Sequence, residues 1–185
     1  VGKVKEARDA ILELHPVDQA QVLRALPNQI EQAVVPDLPD EATARMVDSG
    51  DPKDMAEIAG HLLPERLAAA LDLARPERAA IVLRLLPQDR LETTMALMSS
   101  ADEISMLLAY QSDSAGGIMA PHFPTVRVTD TVAQALGAIR AQRRNPPYRF
   151  NSVYVVDSDW RLAGFVSLVN LALELSDSFV ETILE

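Results

Sequence analysis

Prolines recur at positions 16, 27, 39, 52, 64, 76 and 87, at intervals of 11 to 13 residues. Proline is tolerated in the first turn of a helix, where its missing N–H has no intrahelical partner, and it breaks a helix interior. The residue before it is pushed out of the helical region. The ladder therefore excludes any long helix over residues 1–111 and makes each proline close one helix and open the next. The intervals hold strong helix formers with apolar residues at helical spacing, such as Val22, Leu23 and Leu26, Leu67, Ala70, Leu71 and Leu73, and Ile81, Val82, Leu85 and Leu86. Helices of two to three turns are unstable alone in water, so they must stack on their neighbours. A repeat of about 24 residues, two helices each, is the signature of a compact helical superhelix or solenoid, and a right-handed-type superhelix of short proline-started helices is the fold expected. The expected step near Ser99 and Ser100 lacks proline, and Ser100 with Glu103 supplies a capping box instead.

Aromatic residues make up 4% of the 185, so the core of such a superhelix must be aliphatic. The formal net charge of −10 is opposite in sign to that of a nucleic-acid binder, which draws most of its affinity from phosphate neutralisation. With no cysteine there is no disulfide framework, thiolate metal site or cysteine nucleophile. No apolar run approaches the roughly 18 residues of a membrane helix, and the N-terminus lacks a signal-peptide pattern. No nucleophile–base set, metal-ligand motif or phosphate loop is present, so an enzyme is not expected.

Within the helical half, His15 precedes a proline and belongs at a helix start, and His61 reads as a partly buried structural histidine. The pairs Asp40/Glu41 and Glu65/Asp72 fall near helix starts or on exposed faces, where the helix dipole accounts for first-turn acids without a metal. A scaffold or interaction surface is the simplest reading of this half.

The stretch from Tyr110 to Met119 carries Asp113 and Ser114, which cap helices and nucleate turns, followed by Gly116 and Gly117, which accept backbone angles or close contacts that a Cβ forbids. It separates two packing regimes and reads as a hinge or a tightly packed linker. Beyond it the pattern becomes strand (124–128), helix capped by Thr129 to Thr131, loop (142–151), strand (152–157), turn (158–160), strand (161–167) and helix (168–175). Arg140, Arg143, Arg144 and Arg149 gather a basic group around the loop, read as solvated or as a phosphate contact.

The run Val153-Tyr154-Val155-Val156-Asp157, then Arg161-Leu162-Ala163-Gly164-Phe165-Val166-Ser167-Leu168-Val169-Asn170-Leu171, resembles a CBS motif. With the Asp113-to-Met119 junction and the proline-laddered helices before it, the whole chain resembles the cytosolic region of the MgtE family of magnesium transporters. The resemblance implies a mainly α fold with a small α/β unit: a helical N-domain over 1–111, a junction over 112–121, and the first of two CBS motifs over 122–185. It further implies a regulatory, Mg²⁺-sensing gating module on the cytoplasmic side of the membrane. Homodimerisation through the CBS motif is expected, with covalent continuation into a second CBS motif and a transmembrane pore. The competing reading is a soluble CBS-containing adaptor that responds to a nucleotide or binds a protein.

The resemblance also implies sites. Family carboxylates are expected at the positions of Ala33, Glu65 and Ala69, of which only Glu65 is acidic here. Glu65 and Asp113 are the metal candidates, and Mg²⁺ binding by this chain is expected to be weak or regulatory. The CBS nucleotide pair falls on Ser167 and Asn170. Asparagine replaces the acid that holds ribose hydroxyls, so adenine nucleotide binding is not expected in this fragment, and Ser167 reads more simply as a helix cap. Gly116 and Gly117 are the hinge candidates.

Overall fold

Each ladder proline in the computed structural model sits in the first turn of a helix or one residue before it. The structure describes residues 2–141 and 150–185, so Arg143, Arg144 and Arg149 of the basic group lie outside the described residues. After α1 (Gly2–Leu12) come α2 (Pro16–Ala25), α3 (Asn28–Val34), α4 (Asp40–Ser49), α5 (Pro52–Ala59), α6 (Pro64–Leu73), α7 (Pro76–Leu85), α8 (Gln88–Leu97) and α9 (Ala101–Leu108). His15, Asp51, Leu63 and Arg75, each followed by proline, are extended, as steric conflict with the proline ring requires. A 3-10 turn, Val35–Asp37, holds Pro36, which falls outside the ladder.

The chain forms two compact units, Val1–Pro121 and His122–Glu185. In the first, α2 packs on α4, α4 on α6, α6 on α8, α5 on α7 and α7 on α9. From α4 to α7 each helix thus leans on the one two places ahead, which is what a two-helix repeat demands. The core is aliphatic, with Leu23, Leu38, Met46, Met55, Ile58, Leu67, Leu71, Leu83, Ile104 and Leu107 fully buried. Its area removed from water is the main force holding helices too short to persist alone.

Polar ties reach further, joining helices three places apart along α3 to α9. Asp48, at the end of α4, accepts the N–H of Arg75 at the start of α7, at 2.8 Å. Asp72, one repeat later on α6, accepts from Ser99 N–H (2.9 Å), Ser99 Oγ (2.7 Å), Ser100 N–H (3.0 Å) and Ser100 Oγ (2.6 Å) at the start of α9. Arginines run the other way. Arg66 of α6 donates to Leu38 O at 2.6 Å in the turn after α3, Arg78 of α7 to Val47 O and Gly50 O at the end of α4, and Arg90 of α8 to Ala59 O and Leu62 O at and after the end of α5. These groups satisfy helix-terminal carbonyls that have no partner within their own helix.

Asp72 is therefore not the idle surface acid that the sequence suggests. Nor does Ser100 make its half of a capping box, because its hydroxyl is turned to Asp72. Burial pushes the Asp72 carboxyl up, but the hydrogen bonds from Ser100 and Ser99 together outweigh it and hold it below the usual carboxylate range. A carboxyl with a depressed folded pKa contributes stability that is present above its unfolded pKa and lost as pH falls through the folded one. Asp72→Ala is expected to cost about 2 kcal/mol at neutral pH, the loss of a set of charge-assisted hydrogen bonds. The deficit should shrink as urea titrations are repeated at acid pH. A deficit that stays constant down to the acid limit would mean that the charge is not what holds α9.

In the second unit, β1 (Thr125–Arg127) pairs parallel with β2 (Ser152–Val156), and β2 pairs antiparallel with β3 (Leu162–Ser167), giving the order β1-β2-β3. Val126, Val153, Val155 and Val166 point into a core closed by Val132 and Ala135 of the helix Val132–Ala141, Leu171 of the helix Leu168–Leu173, and Val180. On the opposite face Tyr154 stands across from Phe165, with Phe123 edge-on to Tyr154 at 5.2 Å between ring centroids. The β2–β3 turn places Trp160 at φ 60°, a left-handed conformation that favours glycine.

Candidate functional site

Glu65 lies exposed in the first turn of α6, and Asp113 lies exposed in a turn after α9. Of the other two positions where the resemblance places carboxylates, Ala33 is exposed on α3 and Ala69 half-buried on α6. Among the described residues no group of three or more His, Asp or Glu side chains is arranged to hold a metal ion. The structure therefore does not gather Glu65 or Asp113 into a preformed cation site.

A buried ionic group that sequence reading missed lies instead between α2, α3 and α5. Glu31 is 1% exposed, and Arg24 Nη1 lies 3.1 Å from both of its carboxylate oxygens. Arg24 Nη2 also donates to Glu57 Oε2, and His61 Nε2 stands 3.9 Å from Glu31 Oε2. The hydrogen bond to Glu31, ahead of the attraction of Glu57 and Asp54, raises the Arg24 pKa and keeps it cationic. A carboxylate already neutralised by a guanidinium is a poor metal ligand, so this group ties helices together. Its only sequence signal was an Arg and a Glu seven residues apart across Pro27, which does not reveal that they face each other.

The junction, residues 112–121, falls at the end of the first unit, and within it Ala115–Ile118 form a short helix, α10. Ser114 caps it, accepting Gly117 N–H at 3.2 Å while its hydroxyl donates to Gln111 O at 2.7 Å. Neither Gly116 nor Gly117 has a positive φ. What they lack is room: a Cβ on Gly116 would stand 2.4 Å from the Tyr110 ring, and one on Gly117 would stand 2.0 Å from Gln111 O. Arg84, in the last turn of α7, donates to Leu107 O (2.5 Å), Tyr110 O (2.9 Å) and Gly117 O (3.1 Å). The two glycines thus have a packing reason to be there that does not require a hinge.

In the second unit Ser167 is the N-cap of the helix Leu168–Leu173, which we call α12, the helix Val132–Ala141 being α11. Its Oγ accepts Asn170 N–H at 3.0 Å, and Asn170 Nδ2 donates to Glu185 Oε1 at 2.8 Å. Asn170, Leu173, Glu174 and Ile183 line an open pocket of about 280 Å³. Both nucleotide candidates are therefore already engaged in local hydrogen bonds, and Glu174 places a carboxylate in the lining of the pocket beside Asn170. Arg140, the described member of the basic group, is exposed at the end of α11.

Comparison with known proteins agrees with this architecture. The MgtE intracellular N domain matches residues 14–113, and the CBS domain matches residues 115–177. The magnesium transporter MgtE of Thermus thermophilus is 28% identical over 182 residues, covering 92% of this chain and 39% of the relative. The magnesium transporter MgtE of Enterococcus faecalis is 33% identical over 84 residues, 45% of this chain and 18% of the relative. The chain thus spans about two fifths or less of the length of these relatives. A crystal structure of the soluble part of a magnesium transporter superposes with a TM-score of 0.78 at 28% identity, covering all of this chain and 73% of that one. The cytosolic domain of the Mg²⁺ channel MgtE in complex with ATP gives a TM-score of 0.81 at 27% identity, over 96% of this chain and 73% of that one. The laddered helices thus precede the CBS unit in the order of the two family models, and the chain belongs to the MgtE family.

Proposed function

We propose that this chain is the cytosolic regulatory portion of a magnesium transporter, a gating module with no catalytic role. The observation that carries the reading is the match, over the full length of the chain, to the fold of the soluble part of a magnesium transporter. No helix among the described residues is long and apolar enough to cross a membrane, so a helical pore would be built from other residues. In this reading the first unit, which holds 20 of the 27 acidic residues, supplies carboxylates that repel one another without metal and are screened or bridged by Mg²⁺. Glu65 and Asp113 are exposed enough to take part, and the CBS unit supplies the dimer contact.

The second reading, a nucleotide-responsive module, draws on the relative solved with ATP. It would use Ser167 and Asn170. Because both are committed within their own helix and to Glu185, we place it second.

Sedimentation velocity of the chain with millimolar Mg²⁺, against an equal ionic strength of NaCl, tests the first reading. A faster-sedimenting, more compact or dimeric species with Mg²⁺ alone is expected. Identical profiles in the two salts would count against a sensor role. Calorimetry is expected to show only loose Mg²⁺ binding, because no three-ligand cluster is preformed among the described residues; a tight stoichiometric site would overturn that expectation.

A further inference from the structure

The contacts of Arg84 point to a role beyond capping one helix. It leaves the last turn of α7 and its guanidinium gathers three carbonyls from separate places in the following chain: Leu107 in α9, Tyr110 after it, and Gly117 in α10. A planar guanidinium with five donors in a fixed fork can do this, and a lysine ammonium on a flexible stem cannot hold the same geometry. The same turn is closed from within. The Tyr110 ring lies over Gly116, Gln111 O lies against Gly117, and Ser114 bridges Gln111 O and Gly117 N–H. Chain direction from Tyr110 to Ile118 is thus set by side-chain and backbone contacts that lie wholly inside the first unit.

We propose that Arg84 is a pin that makes α10 a rigid extension of the helical superhelix, so that any change in the arrangement of the two units is confined to Met119–Pro121. These three residues lie in neither helix nor strand, between the end of α10 and the start of the second unit. The pin relocates the pivot from the glycines to the residues after them, and it makes α7 the element that fixes how the chain leaves the superhelix. It rests on the gating reading only in supposing that the units change their arrangement.

The chain has no cysteine, so spin labels can be placed by substitution alone. Ala96→Cys on α8 with Ile118→Cys on α10 gives a distance inside the first unit, and Ala96→Cys with Leu173→Cys on α12 gives one between units; all three positions are exposed. Double electron–electron resonance is expected to give a narrow 96–118 distribution in the otherwise unaltered chain. Arg84→Gln should broaden it and raise amide exchange over residues 110–118 by about tenfold, the loss of at least one charge-assisted hydrogen bond. Arg84→Lys should restore little of it.

A broad 96–118 distribution before any change at Arg84 overturns the proposal, and so does a folded Arg84→Gln protein with an unaltered distribution. The first of these needs no Arg84 variant, so a variant that fails to fold leaves the proposal open to refutation. The 96–173 pair, read with and without Mg²⁺, decides the gating reading separately.

Discussion

Replacing Arg24 by methionine is expected to lower the stability of the helical unit by about 3 kcal/mol, because it leaves the carboxylate of Glu31 buried without its cation. Glu31 is 1% exposed, whereas Glu57, the other acid on Arg24, keeps most of its hydration with a side chain 58% exposed. The cost is therefore that of one stranded charge. His61, 3.9 Å from Glu31, lies too far for a good hydrogen bond and replaces little of it. The double variant Arg24→Met with Glu31→Leu removes both charges and should recover most of the loss, since buried ion pairs exchanged for apolar groups of similar size are often neutral. Urea unfolding followed by far-UV circular dichroism reads both. Single and double variants equally destabilised would show that Arg24 acts through packing of its stem. Trp160, the one tryptophan, lies in the other unit, so its fluorescence provides an internal control.

Gly117→Ala is the second large effect, again about 3 kcal/mol, at the upper end of what overpacking costs. The added methyl would meet three backbone atoms: Gln111 O at 2.0 Å, Gln111 C at 2.9 Å and Ser112 Cα at 3.1 Å. None can rotate away without opening the turn that Ser114 closes. Gly116→Ala meets the ring of Tyr110, a half-exposed side chain that can swing outward, so it should cost appreciably less. The contrast between neighbours is the diagnostic. If both cost the same, flexibility of the backbone is what the glycines supply, and the hinge reading gains. If the ordering is as expected, close packing is the reason for the pair.

These two sites mark where reading from sequence stops. The ladder was legible because proline acts on its own residue and the one before it, and such rules survive whatever the tertiary structure does. The strands were legible for a similar reason: Val153, Val155 and Val166 are β-branched and alternate with more exposed positions. The ties are another matter. That Asp72 meets Ser99 and Ser100, or that Arg24 meets Glu57, depends on which helices stack, and nothing local encodes it. At Ser100 the local rule misled, since its hydroxyl turned to Asp72 instead of capping its own helix. At Gly116 and Gly117 the residue type was informative and the reason was not, because a glycine needed for its missing Cβ looks the same in sequence as one needed for its φ. Trp160 shows the reverse, a left-handed position that its residue type conceals.

The ties between helices three places apart have a consequence for how the superhelix comes apart. An array in which every repeat touches only its neighbours can unzip from an end, one repeat at a time. Here Asp48 joins α4 to α7, Asp72 joins α6 to α9, and Arg66, Arg78 and Arg90 bridge equivalent gaps, so the spans overlap along the chain. The last helix of the ladder, α9, cannot leave without breaking its contacts to Asp72 on α6, well inside the array. Unfolding of such a laced stack should be a single cooperative event, with fraying suppressed, and a force applied at the junction would be shared by the whole helical unit instead of peeling off its last helix.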